Sequence, residues 1–262
     1  MDGNTPVLAL KGVSKSFGPV QALSKVDFEI HDGEVVGLVG DNGAGKSTLV
    51  KTIAGIHAPD EGEILFEGRP VKITGPTAAV NLGIATVYQD LALCDNLDVV
   101  ENLFLGREEV GDGPAAVVRQ MDETSMEKQT GNLLSRLAVT IVNLRSEVGT
   151  LSGGQRQQVA IARSLLGQPK VVLLDEPTAA LGVRQTAQVL ALIKRLREEG
   201  HGVLVISHNL ADVFEVADRV FVLRLGQKAG DFTADESTQE EIVAAITGAR
   251  SARDGDETGG ER

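Results

Sequence analysis

A glycine-rich segment that ends in a lysine and a serine could hold the phosphates of a nucleotide. Residues 40–47 read GDNGAGKS and match the pattern G-x-x-x-x-G-K-[ST]. The glycines let the loop turn tightly, so that backbone N–H groups and the dipole of the following helix face phosphate oxygens. Lys46 would neutralise the β- and γ-phosphates, and the Ser47 hydroxyl is a natural Mg²⁺ ligand. An ordinary glycine-rich turn is the alternative, and the Lys-Ser pair disfavours it.

Two acidic residues end a hydrophobic run and could complete the chemistry of such a loop. Residues 171–176 read VVLLDE. Asp175 follows a buried strand at the edge where ligands bind in α/β sheets, and we expect it to hold Mg²⁺ directly or through water. Glu176 is the candidate general base for the water that attacks the γ-phosphate. An exposed acidic turn is the alternative for the pair taken alone.

Short β-branched runs alternate with helical patterns, which predicts an α/β fold that positions these residues. The predicted strands are 7–10, 26–30, 35–39, 63–67, 71–73, 84–88, 171–174, 203–206, 220–224 and 228–232. Helices are predicted over 48–54, 153–167 and 184–199, and a last one between Thr238 and Gly248. One domain over 1–249 is expected, with a helical insertion at about 90–168 and a disordered tail over 250–262.

Five apolar side chains within the predicted insertion recur at roughly helical spacing. They are mixed with acidic and polar residues, and we expect them to pack in the core. They are Met121, Met126, Leu133, Leu134 and Leu137.

The composition excludes several classes of protein. The chain has 262 residues, 37 of them acidic and 25 basic, a net charge of −12 and one cysteine. One cysteine excludes an intramolecular disulfide and a multi-cysteine metal site. The acidic surplus and the 3% aromatic content argue against a nucleic-acid partner. Because no signal peptide or apolar run of about 20 residues is visible, we expect a cytoplasmic protein whose membrane role depends on a partner.

A third motif gives these features a family. Residues 151–155 read LSGGQ and lie between the phosphate loop and the acidic pair. In this order the motifs resemble the ATP-binding subunits of ABC transporters, over about residues 7 to 246. The resemblance implies an α/β fold with a P-loop NTPase core, a mixed sheet, an antiparallel β subdomain and a helical insertion. ATP and Mg²⁺ are the implied cofactors.

The resemblance also implies roles for single residues. Phe17 matches the aromatic that stacks on adenine, Gln89 the glutamine that contacts Mg²⁺ and senses the permease, and His208 the switch histidine at the γ-phosphate. Taken alone, these would be a core filler, a surface polar residue and a structural histidine. The implied catalytic residues are Glu176, His208, Lys46 and Gln89, and the metal ligands Ser47, Gln89 and Asp175. Nucleotide binding is assigned to Phe17, Gly40, Asp41, Asn42, Gly43, Ala44, Gly45, Lys46, Ser47, Thr48, Ser152, Gly153, Gly154 and Gln155.

The chain departs from the family pattern at one position. After residues 177–181 the family usually has an aspartate that bridges the two nucleotide sites of a dimer, and this chain has Gly182. The departure puts the standard coupling between the sites in doubt. It removes no phosphate, magnesium or water ligand, so an active ATPase is still expected.

Partners also follow from the resemblance. In the family two subunits face each other head to tail, and Ser152, Gly153 and Gly154 of one bind the γ-phosphate held by the other. We therefore expect a second ATPase subunit, either a second copy of this chain or a similar partner. We also expect a permease at the cytoplasmic face of the membrane, an extracytoplasmic sugar-binding protein reached through it, and no nucleic acid.

Two stretches indicate the cargo. Residues 88–107 and 176–183 look like those of monosaccharide importers of the ribose, xylose and fructose type. An importer for another small solute, a non-transport ABC ATPase and a regulatory module are the alternatives. The sequence does not identify the sugar, because in this family specificity lies in the permease and the binding protein.

Overall fold

The computed structural model describes residues 5–111 and 121–249, so the tail predicted over 250–262 lies outside the described residues. The strands are β1 (Leu8–Phe17), β2 (Val20–Ile30), β3 (Val35–Val39), β4 (Glu61–Phe66), β5 (Arg69–Val71), β6 (Ile84–Val87), β7 (Val171–Asp175), β8 (Gly202–Ile206), β9 (Arg219–Arg224) and β10 (Gln227–Thr233). The α-helices are α1 (Lys46–Ile53), α2 (Pro76–Leu82), α3 (Val99–Phe104), α4 (Glu123–Arg136), α5 (Gly153–Leu165), α6 (Val183–Glu198), α7 (Leu210–Val216) and α8 (Gln239–Thr247).

A six-stranded mixed sheet forms the centre of the fold, in the order β10-β9-β3-β8-β7-β6. Strands β9, β3, β8, β7 and β6 are parallel neighbours, and β10 pairs antiparallel with β9. Every residue of β3 and β8 is buried. Side chains alternate along β3: Val35 and Val39 join one hydrophobic core, and Val36 and Leu38 join the other. Burial on both faces explains why these strands are almost continuously apolar, as predicted.

A four-stranded antiparallel sheet, in the order β2-β1-β4-β5, covers one side of the molecule. Strands β1 and β2 are much longer than the predicted 7–10 and 26–30. Their outer halves carry polar residues and register shifts between β1 and β2, which interrupt the apolar pattern. Strand β5 lies two residues before the predicted 71–73. With the central sheet, the antiparallel sheet and the helices around it, the predicted α/β architecture with a mixed sheet, an antiparallel β subdomain and a helical insertion is confirmed.

The described part of residues 90–168 carries α3, α4, a short 3₁₀ turn at Val148–Thr150, and α5. Met126, Leu133, Leu134 and Leu137 are buried there, as predicted, in the core that α3 and α5 also enter. The prediction for Met121 was wrong, because its side chain is 51% exposed. Met121 precedes α4 and pairs with Val110 in an isolated bridge, so it lies off the apolar face of the helix. Among the described residues, no helix combines the length and apolarity needed to cross a membrane.

Candidate functional site

The phosphate loop connects the end of β3 to the start of α1. Its three glycines have positive φ angles: 151° at Gly40, 77° at Gly43 and 106° at Gly45. A Cβ on Gly40 would lie 2.2 Å from the carbonyl oxygen of Leu223, and one on Gly45 would lie 2.6 Å from that of Ala22. Gly40 and Gly45 are therefore required both by conformation and by close backbone approach, and Gly43 by conformation alone.

The loop is closed on itself by the side chain of Lys46. The Nζ of Lys46 donates hydrogen bonds to the carbonyl oxygens of Gly40 (2.7 Å) and Asp41 (3.0 Å). Ala44 is buried, and its carbonyl accepts a hydrogen bond from the N–H of Gly226 in the β9–β10 turn. Asp41, Asn42 and Ser47 are exposed, and Thr48 is half-buried in the first turn of α1. Backbone groups of the loop and the first turn of α1 are thus open to solvent, as a binding site for an anion requires.

Asp175 ends β7 and lies beside this loop. Its carboxyl group is half-buried, and its pKa is raised, first by that burial and then by the neighbouring charge of Glu176. The ammonium groups of Lys51 and Lys46 act on the same pKa in the opposite direction. The structure therefore brings together the predicted phosphate ligand Lys46 and the predicted metal ligand Asp175.

Glu176 and His208 contact each other directly. The Oε2 atom of Glu176 lies 2.8 Å from Nδ1 of His208, and the N–H of Glu176 donates to the carbonyl oxygen of Ile206. The Glu176 side chain is 17% exposed and the His208 side chain 75% exposed. Glu176 has a φ of 51°, a left-handed conformation that costs a non-glycine residue about 1–2 kcal/mol. Its surroundings hold it there against that cost.

Phe17 lies at the end of β1 with its side chain 44% exposed, so it is not the core filler that it would be when taken alone. The ring of His57 meets it edge-on, with centroids 5.0 Å apart, and Nζ of Lys15 lies 5.6 Å from its centroid. Our sequence analysis did not identify His57, because the contact joins segments that are distant in the chain. The free part of the Phe17 ring is available for stacking.

Gln89 is exposed and follows β6, the neighbour of β7 in the sheet. The pairing of Val87 with Leu174 sets the end of β6 beside the acidic pair. Gln89 also lines a groove that includes Gly153 and Arg156 of α5. The predicted sensor thus lies between the acidic edge of the sheet and the helical insertion.

Ser152 caps the N-terminus of α5 by a reciprocal pair of hydrogen bonds with Gln155, at 3.1 and 3.3 Å. Both side chains line a groove formed by residues 137–140, α5 and α6, whereas Lys46 lies beside Asp175. A Cβ on Gly154 would lie 2.8 Å from Cβ of Gln185, so this glycine lets α5 pack closely on α6. In the part of the chain that the structure describes, Ser152 and Gln155 therefore line a groove to which the phosphate loop does not contribute.

Gly182 is the residue that departs from the family pattern, and the structure does not require a glycine there. Its φ of −75° suits any residue, and a Cβ would lie 3.6 Å from Oε1 of Gln185, an ordinary contact. The N–H of Gly182 donates to the same Oε1 atom at 3.0 Å. An aspartate would fit at this position without moving the backbone.

The sequence of this chain is similar to those of known proteins. A family model described as ABC transporter matches residues 23–179. A fructose import ATP-binding protein of Rhizobium meliloti is 46% identical over 94% of this chain and 95% of its own length. A xylose/arabinose import ATP-binding protein of Sulfolobus acidocaldarius is 44% identical over 92% and 94%. A ribose import ATP-binding protein of Rubrobacter xylanophilus is 44% identical, and the match spans only 47% of that longer protein.

Solved structures of ATP-binding cassettes are also similar to this chain, at lower sequence identity. The ADP conformation of an ATP-binding cassette of an ABC transporter superposes with a TM-score of 0.78 at 28% identity, over 93% of this chain and 96% of that one. A dimeric post-hydrolysis state of another cassette, bound to ADP and phosphate, has a TM-score of 0.71 at 27% identity, over 87% and 98%.

Proposed function

This chain belongs to the ABC transporter family, and we propose that it is the ATP-hydrolysing subunit of an importer for a monosaccharide such as fructose, ribose or xylose. The contact between Glu176 and His208, at the edge of the sheet that also bears Asp175 and the phosphate loop, is the observation that carries the hydrolytic part. The similarity to the fructose and xylose/arabinose proteins over almost the whole of each chain supports the sugar part.

Nucleotide binding begins with the loop 40–47 and Phe17. The loop backbone, the start of α1 and Lys46 bind the phosphates, and the exposed Phe17 ring stacks on the base. Ser47, Gln89 and Asp175 would hold Mg²⁺, and their hydroxyl, amide and carboxylate oxygens suit a hard cation that keeps phosphate and water ligands. When bound, the cation neutralises charge that develops on the phosphates.

Hydrolysis requires a group that takes a proton from the attacking water. The Glu176 carboxylate accepts this proton, and His208 orients the carboxylate through Nδ1 and faces the γ-phosphate. Because the His208 side chain is 75% exposed, its ring remains open to a terminal phosphate bound beside Glu176. Glu176 supplies general-base catalysis of about 10²–10⁴-fold.

The functional unit that we propose is a head-to-tail homodimer. Ser152 and Gln155 line a groove to which the phosphate loop of their own chain does not contribute. This supports a role for the LSGGQ residues Ser152, Gly153, Gly154 and Gln155 in binding the nucleotide of a second copy. The N-terminus of α5 adds its dipole to that contact. The dimer attaches to permease subunits at the cytoplasmic face of the membrane, and an extracytoplasmic binding protein delivers the sugar to that permease.

Two experiments test this proposal. Purified protein, alone and with its permease, is expected to hydrolyse ATP in the presence of Mg²⁺, and absence of hydrolysis in both conditions contradicts the enzymatic part. A deletion strain is then assayed for uptake of labelled fructose, ribose and xylose. Loss of one of these uptakes, restored by the wild-type gene and not by Glu176→Gln, supports sugar import. Unchanged uptake of all of them contradicts it in favour of another solute.

A further inference from the structure

A hydrogen bond joins the segment after Glu176 to the helix after His208. The Oγ1 atom of Thr178 donates to Oδ2 of Asp212 at 2.6 Å. Thr178 is only 9% exposed, and Asp212 lies in the first turn of α7 and is half-buried. Neither residue belongs to the motifs that our sequence analysis assigned to chemistry. The bond is short and shielded, so losing it would leave a buried polar group without its partner.

The segment that carries Thr178 is held in a conformation it does not prefer. Glu176 and Ala180, on either side of Thr178, both have left-handed φ angles, of 51° and 58°. Such angles persist in non-glycine residues only where surrounding contacts impose them. The Thr178 hydroxyl provides one such contact, midway between the two unfavourable positions.

Helix α7 is held in place by several contacts, and the bond to Thr178 is one of them. It has seven residues, too few to be stable by itself, and Asn209 caps its N-terminus. One side packs on β3, where a Cβ on Gly37 would lie 2.3 Å from Cγ1 of Val213. Asp212 fixes another point of the helix to the segment of the general base. Because His208 lies just before α7, a shift of the helix relative to β3 or Thr178 would move His208 as well.

We propose that Thr178 and Asp212 are positioning residues for ATP hydrolysis, whose hydrogen bond keeps the Glu176 carboxylate against Nδ1 of His208. In this role they act through Glu176 and His208 and not on the nucleotide itself. This inference rests on the proposed roles of Glu176 and His208. Because the contact is 2.8 Å long, a displacement of about 1 Å at α7 breaks it, and displacements of that size cost up to about 10²-fold in rate.

Kinetics of paired variants test the proposal. Thr178→Val and Asp212→Ala are each expected to lower kcat at least about tenfold with the KM for ATP unchanged. The double variant should be no slower than the slower single variant, because one bond is lost in each case. Thr178→Ser keeps the donor and Asp212→Asn keeps an acceptor, so both should recover most of kcat. Glu215→Gln is the matched control, since it weakens an exposed ion pair between α7 and Lys194.

A spectroscopic readout separates this proposal from the proposed function. In protein without nucleotide, the ¹⁵N signal of His208 Nδ1, assigned with a His208→Gln variant, should shift in Thr178→Val towards its position in Glu176→Gln. If wild-type protein does not hydrolyse ATP but this shift occurs, the proposed function fails and the positioning role stands. An unchanged signal with unchanged kcat overturns the positioning role. The positioning role is also overturned if every disruptive variant loses kcat and binds ATP correspondingly more weakly. Should Asp212→Ala fail to fold, the nearly isosteric Thr178→Val carries the test.

Discussion

The Oε2 atom of Glu176 lies 2.8 Å from Nδ1 of His208, although 32 positions separate the two residues in the chain. A carboxylate oxygen only accepts hydrogen bonds, so a bond at this distance would need the proton on Nδ1 of His208. In a neutral imidazole, Nε2 would then be the acceptor. One contact thus fixes the position of the proposed base relative to the proposed phosphate sensor.

Glu176→Gln is expected to lower ATP hydrolysis by about 10²–10⁴-fold while ATP binding survives. The amide keeps the size of the side chain and cannot take a proton from water. Turnover and the Kd for ATP should be measured on the same preparation. Glu215→Gln, at an exposed position of α7, should match the wild type in both. Retained turnover in Glu176→Gln would remove the general-base role.

Gly153→Ala and Gly154→Ala are expected to differ in stability. A Cβ on Gly154 would lie 2.8 Å from Cβ of Gln185, and such overpacking costs about 1–3 kcal/mol. At Gly153 the nearest atom is a side-chain carbon of Leu181 at 3.3 Å, so the higher helix propensity of alanine offsets the milder contact. Urea unfolding should place Gly154→Ala below wild type and Gly153→Ala near it. Equal midpoints for the two variants would contradict the packing role of Gly154.

Asp175→Asn is expected to raise the melting temperature of the nucleotide-free protein at pH 7.5. Burial, and then Glu176, raise the pKa of Asp175 in the folded state above its unfolded value, so the ionised group disfavours folding. This cost is fully present above the folded-state pKa, decreases as the pH falls through that value, and is absent below the unfolded-state pKa. The gain should therefore shrink as the pH falls towards 4. The same variant should lose Mg²⁺-dependent hydrolysis.

Asp32→Asn, which removes an exposed carboxylate, is the control for the effect of net charge. Melting curves of both variants at several pH values distinguish the local effect from the general one. A lower melting temperature of Asp175→Asn at pH 7.5, with Asp32→Asn unchanged, would show that the Asp175 carboxylate stabilises the fold.

Gly182→Asp is expected to stabilise the protein by about 0.5 kcal/mol. Gly182 is the N-cap of α6, and an aspartate there would accept a backbone hydrogen bond and favour the helix dipole. Gly182→Ala has no acceptor and should not gain. Because the aspartate of the family bridges two nucleotide sites, the Hill coefficient of hydrolysis against ATP should also rise. A destabilised Gly182→Asp would mean that this position needs a glycine after all.

Phe17→Ala is expected to weaken ATP binding about 10- to 100-fold with little change in stability. Base stacking on an aromatic side chain contributes about 1–3 kcal/mol, and Phe17 is already 44% exposed. Titration calorimetry gives the Kd, and Phe17→Tyr should keep it. Val20→Ala, at an exposed apolar position of β2, is the control for lost surface area. An unchanged Kd in Phe17→Ala would place the base elsewhere.

Features fixed by local sequence could be predicted, and those fixed by contacts between distant segments could not. Strands β3, β7 and β8 and the phosphate loop follow from continuous apolar runs and from glycine spacing. The Thr178–Asp212 and Phe17–His57 contacts depend on how the segments pack, which no local pattern reveals. Helix α3 lies between these extremes. Asp98 and Glu101 form a capping box at its start, but this six-residue helix was not among the predicted helices.

The order of strands in the central sheet sets the distances between the residues of the site. Lys46 follows β3, His208 follows β8, Asp175 and Glu176 end β7, and Gln89 follows β6, and these four strands are consecutive neighbours. Three interstrand spacings, about 14 Å in all, therefore separate the strand that precedes Lys46 from the strand that precedes Gln89. Backbone hydrogen bonds between the strands maintain this distance, which does not depend on the long connection between β6 and β7. The part of that connection between Gln89 and Ser152 can accordingly vary to suit different membrane partners while the dimensions of the hydrolytic centre stay constant.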